Sequence, residues 1–300
     1  TDHVDAICEG FEAFVQQYGA NIDCEGRGIG AGQIVGTLKA EREAGEAPTD
    51  VVYMSMTQMA QYIDDGYAEA VDWGALGADE RRVWDAAEGV TGNALGVSNN
   101  QYTNFYRTDI FSIEDLPKSV FEWTDPKYKD LACAPSFLFR AGNGFMAFRY
   151  DPDEMVRVQK QMIDDNGLLV TGSCNEFILS GERPLVWMGY GNPPALLDSG
   201  VIGQFWNDGM GINMFNVAVA NNANNPNAAK FLAAWHSSKE ASLALFESVG
   251  AGWAAYGHAA PGLTSGGDFE GVKMVFESVP VARQRGINAN YFGEQVFGAN

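Results

Sequence analysis

The chain has 300 residues, 46% of them hydrophobic, with 39 acidic against 19 basic side chains and a formal charge of -20. That length allows two lobes with separate cores, and the acidic balance argues against nucleic acid, whose phosphates need Lys and Arg to neutralise them. No apolar run is long enough to cross a membrane as a helix, and no charged-then-apolar leader stands at Thr1, so a secretory signal is expected to be absent from this chain.

Val4, Ile7, Cys8, Phe11, Phe14, Val15 and Tyr18 fall at helical spacing, and Gly19 offers a stop, so the chain is expected to open on an amphipathic helix. Residues 21–25 read as a short polar strand leading into GRGIGAG, residues 26–32. A second helix carries Ile34, Val35, Leu38 and Ala40. Residues 50–54 read as a buried strand, with Ser55 or Thr57 capping the helix that follows. Strands are expected again at 131–135, 168–171, 185–188 and 212–220, each but the last followed by a loop and a helix. Asn225-Pro226 opens one further helix, and Ser237 with Glu240 has capping-box spacing for the next. This alternation predicts an α/β fold with a largely parallel sheet.

The four cysteines lack CxxC spacing, which argues against structural zinc. They permit three pairings. In an exported chain, Cys8–Cys24 and Cys133–Cys174 would each stay local to one lobe; in a reducing compartment all four would be free thiols.

GRGIGAG contains G-x-G-x-x-A at Gly26, Gly28 and Ala31, as a dinucleotide turn would. The preceding segment is polar, however, and Asp50 comes before the next strand rather than at its end. A plain glycine turn, or a loop touching another small ligand through Gly30, are the other readings. No G-x-S-x-G or HExxH is present, His3, His236 and His258 lack partners at motif spacing, and no metal or cofactor is expected. Aromatics and amides cluster more tellingly. Tyr102, Trp187, Tyr190 and Trp206 stand at expected strand ends or crossings, with Asn100, Asn143, Asn175 and Asn192 at matching loop positions, although Trp187 reads equally well as core. Rings with a few placed amides suit a small-molecule cleft, although core packing explains any one ring equally. Arg140, before Ala-Gly-Asn-Gly, could meet an anion or simply sit on the surface. Ser136 and Ser173 stand where helix N-termini are expected.

These pieces also occur in a familiar order. FEAFVQQYG, LKAEREAG and TDVVYM are followed by GVSNNQYTNFYRTD and EDLPKSVFEWTDPKYKDLACAP, then SGERPLV and NNPNAAKFLAAWHSSKEASLALFE. The series, over roughly residues 7–250, resembles the bacterial extracellular solute-binding proteins of ABC importers, in the ferric-iron, phosphonate and thiamine-like branch. The resemblance implies a type II fold of two α/β lobes joined by two crossing strands. Lobe one would be 1–98 with 217–280, lobe two 106–206, the hinges 98–106 and 206–216, and 281–300 a C-terminal segment. It implies a periplasmic or extracellular monomer, not an enzyme, whose partners are a small-molecule ligand and an inner-membrane permease.

The family opens on a short strand before the first helix, which this chain lacks, so a strand and some site residues are expected to be missing. The adjacent tyrosines of the ferric branch are here Tyr190-Gly191-Asn192, which leaves one phenol. The expected ligand is therefore an anionic or zwitterionic organic molecule, held by Gly30, Asn100, Tyr102, Ser136, Arg140, Asn143, Ser173, Asn175, Tyr190, Asn192 and Trp206. Iron or a thiamine-like cation are the alternatives within the family, and a sensor-kinase receptor is the alternative to transport. A two-lobed α/β enzyme with a nucleotide on residues 26–32 is the alternative of another class.

Overall fold

The structure, a computed structural model, describes residues 2–30, 33–45, 49–78, 92–190, 196, 198–249, 268–269, 272–273 and 275–298. Helix α1 (Asp2–Gln16) buries the stripe its spacing predicts. Ile7, Phe11 and Val15 pack with Trp235, Ala241 and Leu245, each large apolar side chain contributing roughly 1.5–3 kcal/mol by leaving water. Helix α2 (Ile34–Ala44) ends on left-handed Gly45, and strand β1 (Val51–Ser55) leads straight into helix α3 (Met56–Asp64). Residues 20–30 form no strand, against the expectation. The disulfide Cys8–Cys24 and the Cys24 N–H donating to Glu12 at 2.8 Å tie this segment to α1, so it is satisfied without a sheet partner.

Two long strands, β2 (Leu95–Arg107) and β7 (Gly211–Val219), flank in the chain the shorter β3 (Ala132–Pro135), β4 (Leu169–Thr171), β5 (Leu185–Tyr190) and β6 (Ile202–Phe205). Helix α4 (Ser136–Met146) follows β3. Helix α5 (Pro152–Asp164) starts at Asp151, whose carboxylate accepts the Glu154 N–H at 3.0 Å; α6 (Asn175–Ser180) follows β4. Helices α7 (Pro226–Trp235), α8 (Lys239–Val249) and α9 (Val279–Phe297) follow. The α8 cap is Ser238, whose hydroxyl accepts the Ala241 N–H; Ser237, the expected cap, instead donates its hydroxyl to the Ala234 carbonyl.

The chain clusters into two compact units. The first is Thr1–Asn100, Asn213–Pro261 and Glu277–Ala282; the second is Gln101–Ile212, Gly262–Phe276 and Arg283–Asn300. Strands β2 and β7 each change unit partway along. In the first unit β1 pairs antiparallel with β7. In the second, β5, β3 and β4 run parallel, while β2 lies antiparallel to both β5 and β6. The sheet is thus mixed rather than largely parallel, because β2 runs against β5 and β6, and β7 runs against β1. The sequence boundaries differ as well. Strand β8 (Val275–Phe276) runs beside Gly211 and Ile212, and α9 packs on Gly144 of α4, so both fall in the second unit beyond α9's first turn.

Both expected disulfides form, Cys8–Cys24 and Cys133–Cys174. The second joins β3 to the residue before α6 inside a core of Phe105, Ile178, Val186 and Ile202.

Candidate functional site

Because β5, β3 and β4 are parallel neighbours, their carboxyl ends lie along one edge of the second unit, the edge where α/β sheets bind ligands. Ser136 emerges exposed after β3 as the first residue of α4, and the positive end of that helix favours an anion there. Ser173 emerges after β4, exposed, its hydroxyl 3.4 Å from the Asn175 N–H that starts α6. Tyr190 ends β5, opposite Tyr102 in the β2 register; its side chain and all of Asn192 lie outside the described residues.

Tyr102 is buried, with its ring 5.5 Å from Phe145. It also lies against Gly142 of α4: a Cβ there would come within 3.0 Å of the Tyr102 ring and 2.7 Å of the Met188 sulfur. The next residue, Asn143, is fully buried, and neither its carbonyl nor its NH2 has a hydrogen-bond partner. An amide shut away in this manner costs about 1–3 kcal/mol and marks a place where a further partner is needed. Tyr102, Gly142 and Met188 near the end of β5 are therefore brought together, with Asn143 the next residue of α4 and Ser136 and Ser173 on the same sheet edge. Trp206, half-buried, directly follows the Asn104–Phe205 pair of β2 and β6.

Other predicted residues lie elsewhere. Arg140 is exposed and holds its guanidinium 5.2 Å from the centre of the Phe297 ring on α9. Asn100 is half-buried at the last position of β2 in the first unit. Gly30, also in the first unit, is exposed, and its carbonyl accepts the N–H groups of Gln33 and Ile34, a turn that starts α2. Since GRGIGAG follows coil, it lacks the strand that a dinucleotide turn requires; Ala31 and Gly32 lie outside the described residues.

The glycines around the β5 end have a packing explanation. A Cβ on Gly189 would meet the Phe105 ring at 2.2 Å, and one on Gly211 the Phe145 ring at 2.0 Å. Trp187 is core, fully buried with its ring 4.9 Å from Trp123.

Several polar residues escaped the sequence reading. Asn104 and Asn207 are fully buried and bonded to each other at 2.8 Å. In the first unit, Glu277 is fully buried; its carboxylate accepts the Met214 N–H at 3.1 Å and the Thr57 hydroxyl at 3.4 Å. Nothing in the local sequence around Asn104 or Asn207 draws attention to them. Among the described residues, no three His, Cys, Asp or Glu side chains converge on a point where a metal ion could sit.

No protein-family model matches the chain, and no curated protein matches it either. Solved structures do. Iron-bound HitA from Pseudomonas aeruginosa is 16% identical with a TM-score of 0.72, over 98% of this chain and 96% of that one. The periplasmic binding protein AfuA from Actinobacillus pleuropneumoniae, with fructose-6-phosphate bound, is 18% identical with a TM-score of 0.69, over 98% and 96%. AgtB from A. tumefaciens R10, in complex with agropinic acid, is 16% identical with a TM-score of 0.63, over 99% and 96%. At such identities the likeness establishes the fold: the chain has the α/β architecture of the two-lobed, type II periplasmic binding proteins.

Proposed function

We propose that the chain is a monomeric extracellular solute-binding protein. It takes a small anionic or zwitterionic organic solute and delivers it to an ABC permease, with no bond made or broken. The observation that carries this reading is a fold shared end to end with binding proteins, two of which hold an organic acid or a sugar phosphate. Two disulfides support an oxidising, periplasmic or extracellular compartment. The α4 N-terminus at Ser136 offers amides to the anionic group, Tyr102 on β2 and Asn143 on α4 supply ring and amide contacts, and Tyr190 ends the strand that pairs with Tyr102.

The test is a thermal-shift screen against agropinic acid, sugar phosphates, phosphonates, carboxylates, amino acids, thiamine, ferric citrate and NAD, followed by calorimetry. A solute at 100 times its Kd stabilises by about 2.7 kcal/mol, which raises Tm by roughly 5 °C or more. A shift with one organic class supports the proposal and names the solute. A shift with ferric citrate alone moves the ligand to iron, and one with NAD alone sinks the binding-protein reading.

A further inference from the structure

Strand β5 carries one residue more than its partner. Tyr190 pairs with Tyr102 and Gly189 with Thr103, yet Val186 pairs with Phe105 and Leu185 with Tyr106. Trp187 and Met188 therefore share a single opposing residue, Asn104, as in a β-bulge. Met188 has φ 58, left-handed backbone that costs a residue with a Cβ on the order of 1–3 kcal/mol. Trp187 packs against Trp123 and Met188 against Gly142, and both are fully buried.

The bulge takes the Met188 N–H out of the ladder, and the Asn104 side chain receives it. Met188 N–H donates to Asn104 Oδ1 at 3.1 Å, and Asn104 Nδ2 donates to Asn207 Oδ1 at 2.8 Å. Asn207 is fixed in turn. Its Oδ1 accepts from Trp123 Nε1 at 3.1 Å, and its Nδ2 donates to the Pro117 carbonyl at 2.9 Å. The network is buried throughout, so its two carboxamides are held in one orientation.

The consequence lies in strand parity. Counted from the Leu185–Tyr106 pair without a bulge, Tyr190 would face Gln101 instead of Tyr102. A shift of one residue turns every later side chain to the other side of the sheet. We propose that Asn104, braced by Asn207, is a positioning residue: by holding the Met188 bulge it sets the register in which the carboxyl end of β5 meets β2, with Tyr190 opposite Tyr102. The link to the solute rests on the function proposed above; the register does not.

The register can be read without any solute, from backbone amide NOEs in perdeuterated, nitrogen-15-labelled protein. In the native chain the cross-strand contacts of Tyr190 go to Tyr102. In Asn104→Leu they are expected to move to Gln101. In Asn104→Leu with Met188→Gly they are expected to return, because glycine adopts positive φ freely and keeps the bulge without the carboxamide. Should Asn104→Leu not fold, Asn104→Ser is read in the same way. Contacts that stay with Tyr102 in the single variant overturn the proposal. Calorimetry with agropinic acid, fructose 6-phosphate and ferric citrate then reads the site: affinity for whichever binds is expected to fall at least tenfold in Asn104→Leu and recover in the double variant. An unchanged affinity alongside a shifted register overturns the positioning role. A mistaken solute class, by contrast, leaves the NOE result untouched.

Discussion

The hydroxyls of Tyr53 and Ser98 meet at 2.8 Å, joining β1 to β2 inside the first unit. Ser98 is fully buried, and the Tyr53 ring lies 5.5 Å from Phe215 and 5.2 Å from His236. Tyr53→Phe is expected to leave the Ser98 hydroxyl without this partner, costing about 1–3 kcal/mol and lowering Tm by roughly 3–8 °C. Tyr53→Phe with Ser98→Ala should recover most of that loss in a double-mutant cycle. A single variant as stable as the native chain would show that the bond contributes nothing.

The same unit predicts an alkaline limb of stability. Burial pushes the Tyr62 phenol from 10.0 up to about 12, with Arg42 nearby pulling the other way. A raised folded-state pKa means that the stabilisation is complete below pH 10.0 and drains away as pH climbs from there to about 12. The full effect is roughly 2–3 kcal/mol. Urea midpoints should therefore fall between pH 9 and pH 11, and Tyr62→Phe should flatten the fall. Equal slopes for both proteins would place the alkaline loss elsewhere.

Gly189 is there for Phe105. With only 2.2 Å between its notional Cβ and that ring, Gly189→Ala forces the ring aside and is expected to cost about 1–3 kcal/mol. Phe105→Leu in the same chain should return part of the loss, because the smaller side chain clears the strand. Chemical denaturation of the three variants checks this, and a Gly189→Ala protein of native stability would mean that β5 yields more easily than its burial implies.

Much of the fold was legible because it is local. The apolar stripe of α1, the run 185–188 and the Asn225-Pro226 helix start each carry their signal within one element. Residues 21–25 misled because a short alternating stretch looks like a strand, whereas a covalent tie sixteen residues back holds it as coil. The site was legible only in part. Ser136, Ser173 and Tyr190 follow from the rule that loops after parallel strands share an edge. The bulge at Met188 could not be read, since its register depends on Asn207, 103 residues from Asn104. Arg140 shows the same limit: nothing near it in sequence announces Phe297.

Asn143 is where stability and binding are expected to part company. Its carboxamide is fully buried with no hydrogen-bond partner, and it directly follows Gly142, which lies against the Tyr102 ring. An apolar side chain of similar size removes that desolvation cost, so Asn143→Leu is expected to raise the Tm of the ligand-free protein by roughly 2–6 °C. If the amide serves the solute, the same change should weaken binding about tenfold or more, the loss typical of a buried hydrogen bond to a ligand. Paired melting and calorimetry curves decide between the two roles. A gain in stability with unchanged affinity would make Asn143 a packing residue, and a loss in both would mean that the amide supports the helix it stands on.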